Sequence, residues 1–135
     1  MPASAFFDTT VLVYILKEGD QKSGIADQLL AAGGVLSVQV LNEFANVARR
    51  KLGMNWEELE EALANIRGLC SPPAPLTIET HAAALKIAKR YGFQIYDSLI
   101  LASALETQCS ILYSEDLQHG QKIESLTIHN PFLLS

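Results

Sequence analysis

Short apolar runs alternate along this chain with longer stretches in which apolar residues recur every three or four positions, a pattern that predicts strands interleaved with helices. Ala5-Phe6-Phe7 leads into Asp8, and Val11-Leu12-Val13-Tyr14 follows Thr9 and Thr10. This reads as a buried strand feeding a helix start, with the acid at the junction. Lys17 to Gln21 is polar, contains Gly19 and predicts a loop before a short helix from about Ser23 to Ala32, closed by Gly33-Gly34. Val35-Leu36-Ser37 reads as a short strand, and directly after it Val40, Leu41, Phe44, Val47 and Ala48 repeat with helical spacing. Asn55 caps the next predicted helix with Glu58 at the capping-box position, and Trp56, Leu59, Leu63 and Ile66 form its inner stripe before Gly68. Pro72, Pro73 and Pro75 then break the chain, and Leu76-Thr77-Ile78 reads as a brief strand or extended segment. A helix follows from Glu79 to Tyr91, ended by Gly92, and another from Asp97 through Leu105. Ile111-Leu112-Tyr113 and Leu126-Thr127-Ile128 are the last two predicted strands. The alternation implies an α/β fold, a parallel sheet covered by helices on both faces.

The chain has 135 residues, 49% hydrophobic and 19% charged, which suits a single domain spanning residues 1–135 around one core and excludes a disordered chain. Cys70 and Cys109 are too few for a disulfide framework or a cysteine-rich zinc site, so a reducing cytoplasm is the expected location. The first residues lack the basic and long apolar regions of a signal peptide, and no apolar run approaches the length of about 20 residues needed to span a bilayer. A formal net charge of -5 gives no global positive field for nucleic acid.

That acidity is not scattered. Ligands of an open parallel sheet sit beyond the carboxyl ends of its strands, and four acids satisfy that rule. Asp8 ends the first strand, Glu43 lies on the helix after the second, Asp97 opens a helix and Asp116 follows the Ile111–Tyr113 strand. Glu43 borders the stripe of Val40, Phe44 and Val47, where a carboxylate is costly unless paired or bound to a cation. Each acid also has an ordinary reading: Asp97 and Asp116 as helix caps, Asp8 as an Asx-turn, Glu43 as half of an ion pair. Four together favour a shared divalent cation, because converging carboxylates repel unless neutralised and hard oxygen ligands suit Mg²⁺ or Mn²⁺.

Four segments, in order, resemble the motifs of the PIN-domain family, and more narrowly its VapC-type toxins. They are Phe6 to Leu12, Ser37 to Phe44, Tyr96 to Ala104 and Leu112 to Gly120. The resemblance covers almost the whole chain. It implies a PIN-like three-layer α/β/α fold with a central, mainly parallel sheet of about five short strands. It also implies an acidic pocket in which Asp8, Glu43, Asp97 and Asp116 hold Mg²⁺ or Mn²⁺ for RNA cleavage. Ser114, two residues before the last acid, matches a position that orients a metal-bound water or a carboxylate. Thr10 departs from the family's common Asn or Ser but keeps a hydroxyl. The implied activity is a metal-dependent endoribonuclease, the toxin of a type II toxin-antitoxin system, with RNA as substrate, a cognate antitoxin as partner and a homodimer as its assembly.

His81, His119 and His129 have no zinc-motif spacing, though His119 lies near enough to Asp116 to reach a phosphate. Glu115 is either a supporting acid or an exposed one. Arg49-Arg50-Lys51 is the better of two basic clusters for an RNA backbone. Trp56 and its stripe read as core or helix contact rather than a base-stacking platform. Two other functions compete. A haloacid-dehalogenase-like phosphohydrolase also has an Asp at a strand end, but it requires an acid where this chain has Thr10. A non-catalytic PIN-fold module that binds RNA or protein has no need for all four acids.

Overall fold

The computed structural model describes residues 4–133. Four strands form one sheet: β1 (Ala5–Phe7), β2 (Ile111–Tyr113), β3 (Lys122–Ile123) and β4 (Leu126–His129). Their spatial order is β1-β2-β4-β3, with β1, β2 and β4 mutually parallel and β3 antiparallel to β4. Beyond β1 the sheet continues as single bridges, Phe6 to Val35 and then Ser37 to Ala74, both parallel. The expectation of about five short, mainly parallel strands is met by these four and the bridged Val35–Ser37 segment.

Six α-helices flank the sheet: α1 (Thr9–Leu12), α2 (Gln21–Ala31), α3 (Val38–Arg50), α4 (Trp56–Leu69), α5 (Ile78–Tyr91) and α6 (Ile95–Glu106). A 3-10 turn, Val13–Leu16, extends α1. Phe6, Phe7, Leu36, Phe44, Ile66, Leu101 and Leu112 are among the fully buried side chains, so both the sheet and its helices contribute to one core. Gly34 permits the close approach of the bridged segment to β1: a Cβ there would sit 2.5 Å from the Phe7 ring and 2.9 Å from the Ala5 carbonyl oxygen. Helix α4 starts with the expected reciprocal cap between Asn55 and Glu58, and α5 ends on Gly92 in the left-handed conformation.

Three expectations need correction. Thr77 is extended, as the second alternative for this segment had it, but Ile78 is helical: the Thr77 hydroxyl accepts from the Thr80 amide and caps α5, which begins at Ile78. Helices α2 and α6 begin two residues earlier than predicted, α2 because Asp20 caps it by accepting from the Lys22 amide. Trp56 is not part of the inner stripe of α4: Leu59 and Ile66 are buried, but the indole stands 61% exposed.

Candidate active site

The placement of the site follows from strand register. Phe7 lies opposite Tyr113 in a parallel pair, so the next residues, Asp8 and Ser114, emerge side by side at the carboxyl edge of the sheet. The chain leaves β1 toward the bridged segment on one side and returns much later as β2 on the other. Asp8 therefore stands at the point where strand order reverses, the usual ligand-binding crevice of such sheets.

Asp8 is only 4% exposed and heavily tethered. Its Oδ1 accepts from the Thr9 amide at 2.7 Å; its Oδ2 accepts from the Ser114 hydroxyl at 2.7 Å and the Thr10 hydroxyl at 3.2 Å. A carboxylate offers about four acceptor positions, so these three bonds fix the group and leave Oδ1 room for one more partner. Burial, opposed by the Ser114 bond and reinforced by the charges of Glu43 and Asp97, raises its pKa from 3.8 to about 6.

Glu43 is half-buried on α3, and Gln39, one turn earlier, donates to its Oε2 at 2.8 Å. Burial raises its pKa, the Gln39 bond opposes this, and the charge of Asp97 adds to the rise. Asp97 lies in the first turn of α6, where the Gln94 side chain donates to its Oδ2 at 3.1 Å. Glu43 and Asp97 share the wall of one open depression with Gln39, Asn42, Asn46, Gln94 and Tyr96. On its other side Glu43 lines a second depression with Thr9, Thr10, Lys17, Lys51 and Asp116. Glu43 thus joins two halves of one cleft. Asp8, Glu43 and Asp97 act on one another electrostatically, and exposed Asp116 faces Glu43 across the second half.

Among the described residues no three acids, histidines or cysteines stand close enough to form a closed metal cage. The donor set nevertheless fits a hard divalent cation that keeps much of its water. Mg²⁺ is commonly bound through only one or two carboxylates. Asp8 supplies an oriented oxygen with one free position, and the like charges of Glu43 and Asp97 stand beside it without a cationic partner. The one salt bridge among the described residues lies elsewhere, between Lys22 and Glu115.

Gln39, Gln94, Tyr14 and Lys22 had no recognised signal in the sequence, whereas Thr10, Glu115 and His119 were singled out there and gain defined partners here. Thr10 does double duty: its hydroxyl donates to Asp8 and accepts from the Glu115 amide at 3.0 Å, tying α1 to the loop after β2. Glu115 is no supporting acid of the cleft. Burial would raise its pKa, but the Lys22 ammonium and the Tyr14 hydroxyl, which donates at 2.7 Å, outweigh that and hold it low. His119 Nδ1 accepts from the Asn130 amide at 3.0 Å, and its ring packs edge-on against His129. Lys17 and Lys51 line the same depression as Asp116 and Glu43.

A family model described as PIN domain matches residues 5–122. No curated protein sequence matches the chain. Among solved structures, Mycobacterium tuberculosis VapC20, a Sarcin-Ricin loop cleaving toxin, is 21% identical. It aligns over 84% of this chain and 90% of its own, with a TM-score of 0.68. A toxin-antitoxin complex from Klebsiella pneumoniae is 19% identical over 97% of this chain and 100% of the other, with a TM-score of 0.71. VapBC2 from Rickettsia felis, bound to a DNA fragment from its promoter, is 17% identical over 93% and 97%, with a TM-score of 0.68. At these identities the likeness is one of fold.

Proposed function

Because the chain belongs to the PIN domain family, we propose that it is a divalent-cation-dependent endoribonuclease and the toxin of a toxin-antitoxin pair. One observation carries the reading: a buried, tethered Asp8 whose carboxyl is pushed up to about 6 by burial and by the neighbouring Glu43 and Asp97 charges. A module that only kept the fold would gain stability by losing that charge, so its presence speaks for chemistry that uses it.

Asp8 would hold Mg²⁺ or Mn²⁺ directly, with Asp97 and Asp116 reaching it through its bound waters and Glu43 bound through water or acting as base. When bound, the cation supplies charge neutralisation at the scissile phosphate and a more acidic water. Ser114 and Thr10 keep Asp8 Oδ2 occupied, so that its remaining acceptor position lies on Oδ1. Glu43, held by Gln39 through Oε2 alone, keeps Oε1 free to take a proton from water. Water oxygen bonds phosphorus as the bond to the leaving ribose oxygen breaks; Glu43 takes the water's proton, and solvent protonates the leaving oxygen. Lys17 and Lys51 flank the phosphate path. No protein nucleophile is required.

Thr10 weakens the phosphohydrolase alternative, because the second position after Asp8 holds a hydroxyl donor to that carboxylate instead of an acid. The three structural relatives, all toxins or toxin-antitoxin complexes, support an antitoxin partner. A homodimer and a cytoplasmic location accord with that role, and among the described residues no helix is long and apolar enough to cross a membrane. Induced expression in a bacterial host tests the toxin role. Growth arrest with RNA cleavage, both lost in Asp97→Asn, is expected; normal growth and intact RNA with soluble wild-type protein present would overturn it.

A further inference from the structure

We propose that Trp56, Arg49 and Asn46 form a base-stacking subsite for single-stranded RNA at the edge of the acidic cleft, an inference that rests on the ribonuclease reading of that cleft. Trp56 is the chain's only tryptophan. It opens α4 immediately after the Asn55 cap and stands 61% exposed, so its ring contributes little to the core. The Arg49 guanidinium lies 4.1 Å from the centre of the Trp56 ring, and its Nη1 donates to the Met54 carbonyl at 2.6 Å. An arginine plane and an indole are thus held together at the surface, both able to stack on a nucleobase.

Their position makes this more than a surface pair. Ala45, Asn46, Arg49, Arg50 and Trp56 line an open depression of about 470 Å³. Asn46 also lines the depression that holds Glu43 and Asp97, so the two hollows share a wall. From Glu43 to Arg49 is six residues along α3, or about 9 Å at 1.5 Å per residue, comparable to two or three stacked nucleotides at about 3.4 Å each. Arg49, Arg50 and Lys51 concentrate positive charge at this end of the helix, in a chain whose net charge is -5. The walls are amide, guanidinium and indole rather than a continuous aliphatic face, which suits bases and phosphates better than the apolar side of a partner helix. Stacking on aromatic side chains with cationic support is the common mode for single strands.

The single tryptophan provides the test. The full chain in EDTA, where cleavage is blocked, is titrated with single-stranded RNA of about eight nucleotides and with the same strand made abasic. Saturable quenching of indole emission by the first strand and little by the second is expected, with Arg49→Gln shifting the midpoint to higher RNA. In Mg²⁺, Trp56→Ala should raise KM for RNA by about 5- to 100-fold, with kcat falling less than about threefold and Trp56→Phe restoring most of the loss. Circular dichroism checks that the variants fold. Emission unmoved by saturating RNA, with KM unchanged in Trp56→Ala while wild type cleaves, overturns the subsite and leaves the ribonuclease reading intact. Absence of cleavage by wild type overturns the ribonuclease reading, and the quenching titration still decides the subsite. Emission that changes with protein concentration or with an added protein partner, but not with RNA, assigns the face to protein contact and overturns the proposal.

Discussion

Asp8→Asn isolates the cost of the buried charge. The carboxyl has a pKa of about 6 in the folded chain against an ordinary 3.8, set by burial, then by the opposing Ser114 bond and the added Glu43 charge. Its folded pKa is raised, so the native state is at full strength below about pH 3.8, loses stability as pH climbs through 6 and levels off above it. At about 1.36 kcal/mol per unit, the penalty is about 3 kcal/mol at pH 8 and about half that at pH 5. Asparagine removes this penalty but disturbs the bonds from Thr9, Thr10 and Ser114, and that disturbance differs little between the two pH values. Between pH 5 and pH 8 the stability of Asp8→Asn relative to wild type should therefore improve by about 1–2 kcal/mol. Urea denaturation in EDTA at both pH values measures the difference. Adding Mg²⁺ at about 100 times its Kd should then stabilise wild type by about 2.7 kcal/mol and the variant distinctly less. A relative stability that is constant with pH, or that moves against the variant at pH 8, would mean that the buried Asp8 charge carries no such cost.

Ser114→Ala removes a fully buried hydroxyl that donates to the Asp8 carboxylate at 2.7 Å. The expected loss is about 1.5–3 kcal/mol at pH 8, where Asp8 is charged, and clearly less at pH 4; equal losses at both pH values in urea melts would contradict it. Gly34→Ala places a Cβ against the Phe7 ring and the Ala5 carbonyl. A destabilisation of about 1–3 kcal/mol is expected from such overpacking, and an unchanged melting temperature would show that the bridge to β1 yields more easily than its geometry suggests.

The parts of the fold set by patterning were legible in the sequence. The apolar runs at Phe6-Phe7 and Ile111–Tyr113, each followed by an acid or a polar turn, located two central strands and the edge where the site lies. The capping box at Asn55 placed the start of α4 to the residue, although the helix runs through Gly68 to Leu69 instead of stopping before the glycine. What escaped depended on context. Strand β3 is two residues long and joins β4 through Glu124, a non-glycine residue with a φ of 54°, so it carried none of the Gly or Asn signals of a tight hairpin. Thr77 and Ile78 have strand-forming side chains, but the cap from Thr77 to Thr80 prevailed locally. Trp56 fits the spacing of Leu59, Leu63 and Ile66, yet it sits in the first turn of α4, where the neighbouring helix does not cover it. The four candidate acids could be named from sequence, but their arrangement could not: Glu43 as the joint between two hollows and Thr10 as the tie between Asp8 and the Glu115 loop arise only when distant segments meet.

The proposed function requires these acids to act together as one cation-dependent centre for RNA hydrolysis. Its most direct test is cleavage of a labelled single-stranded RNA by purified protein across a Mg²⁺ and Mn²⁺ series, with wild type, Asp8→Asn and Asp97→Asn compared at equal folded concentration. Cleavage by wild type that requires the cation, stops in EDTA and falls by about 100-fold or more in each variant is the predicted result. Undiminished cleavage in both variants, or wild-type cleavage indifferent to EDTA, would contradict it.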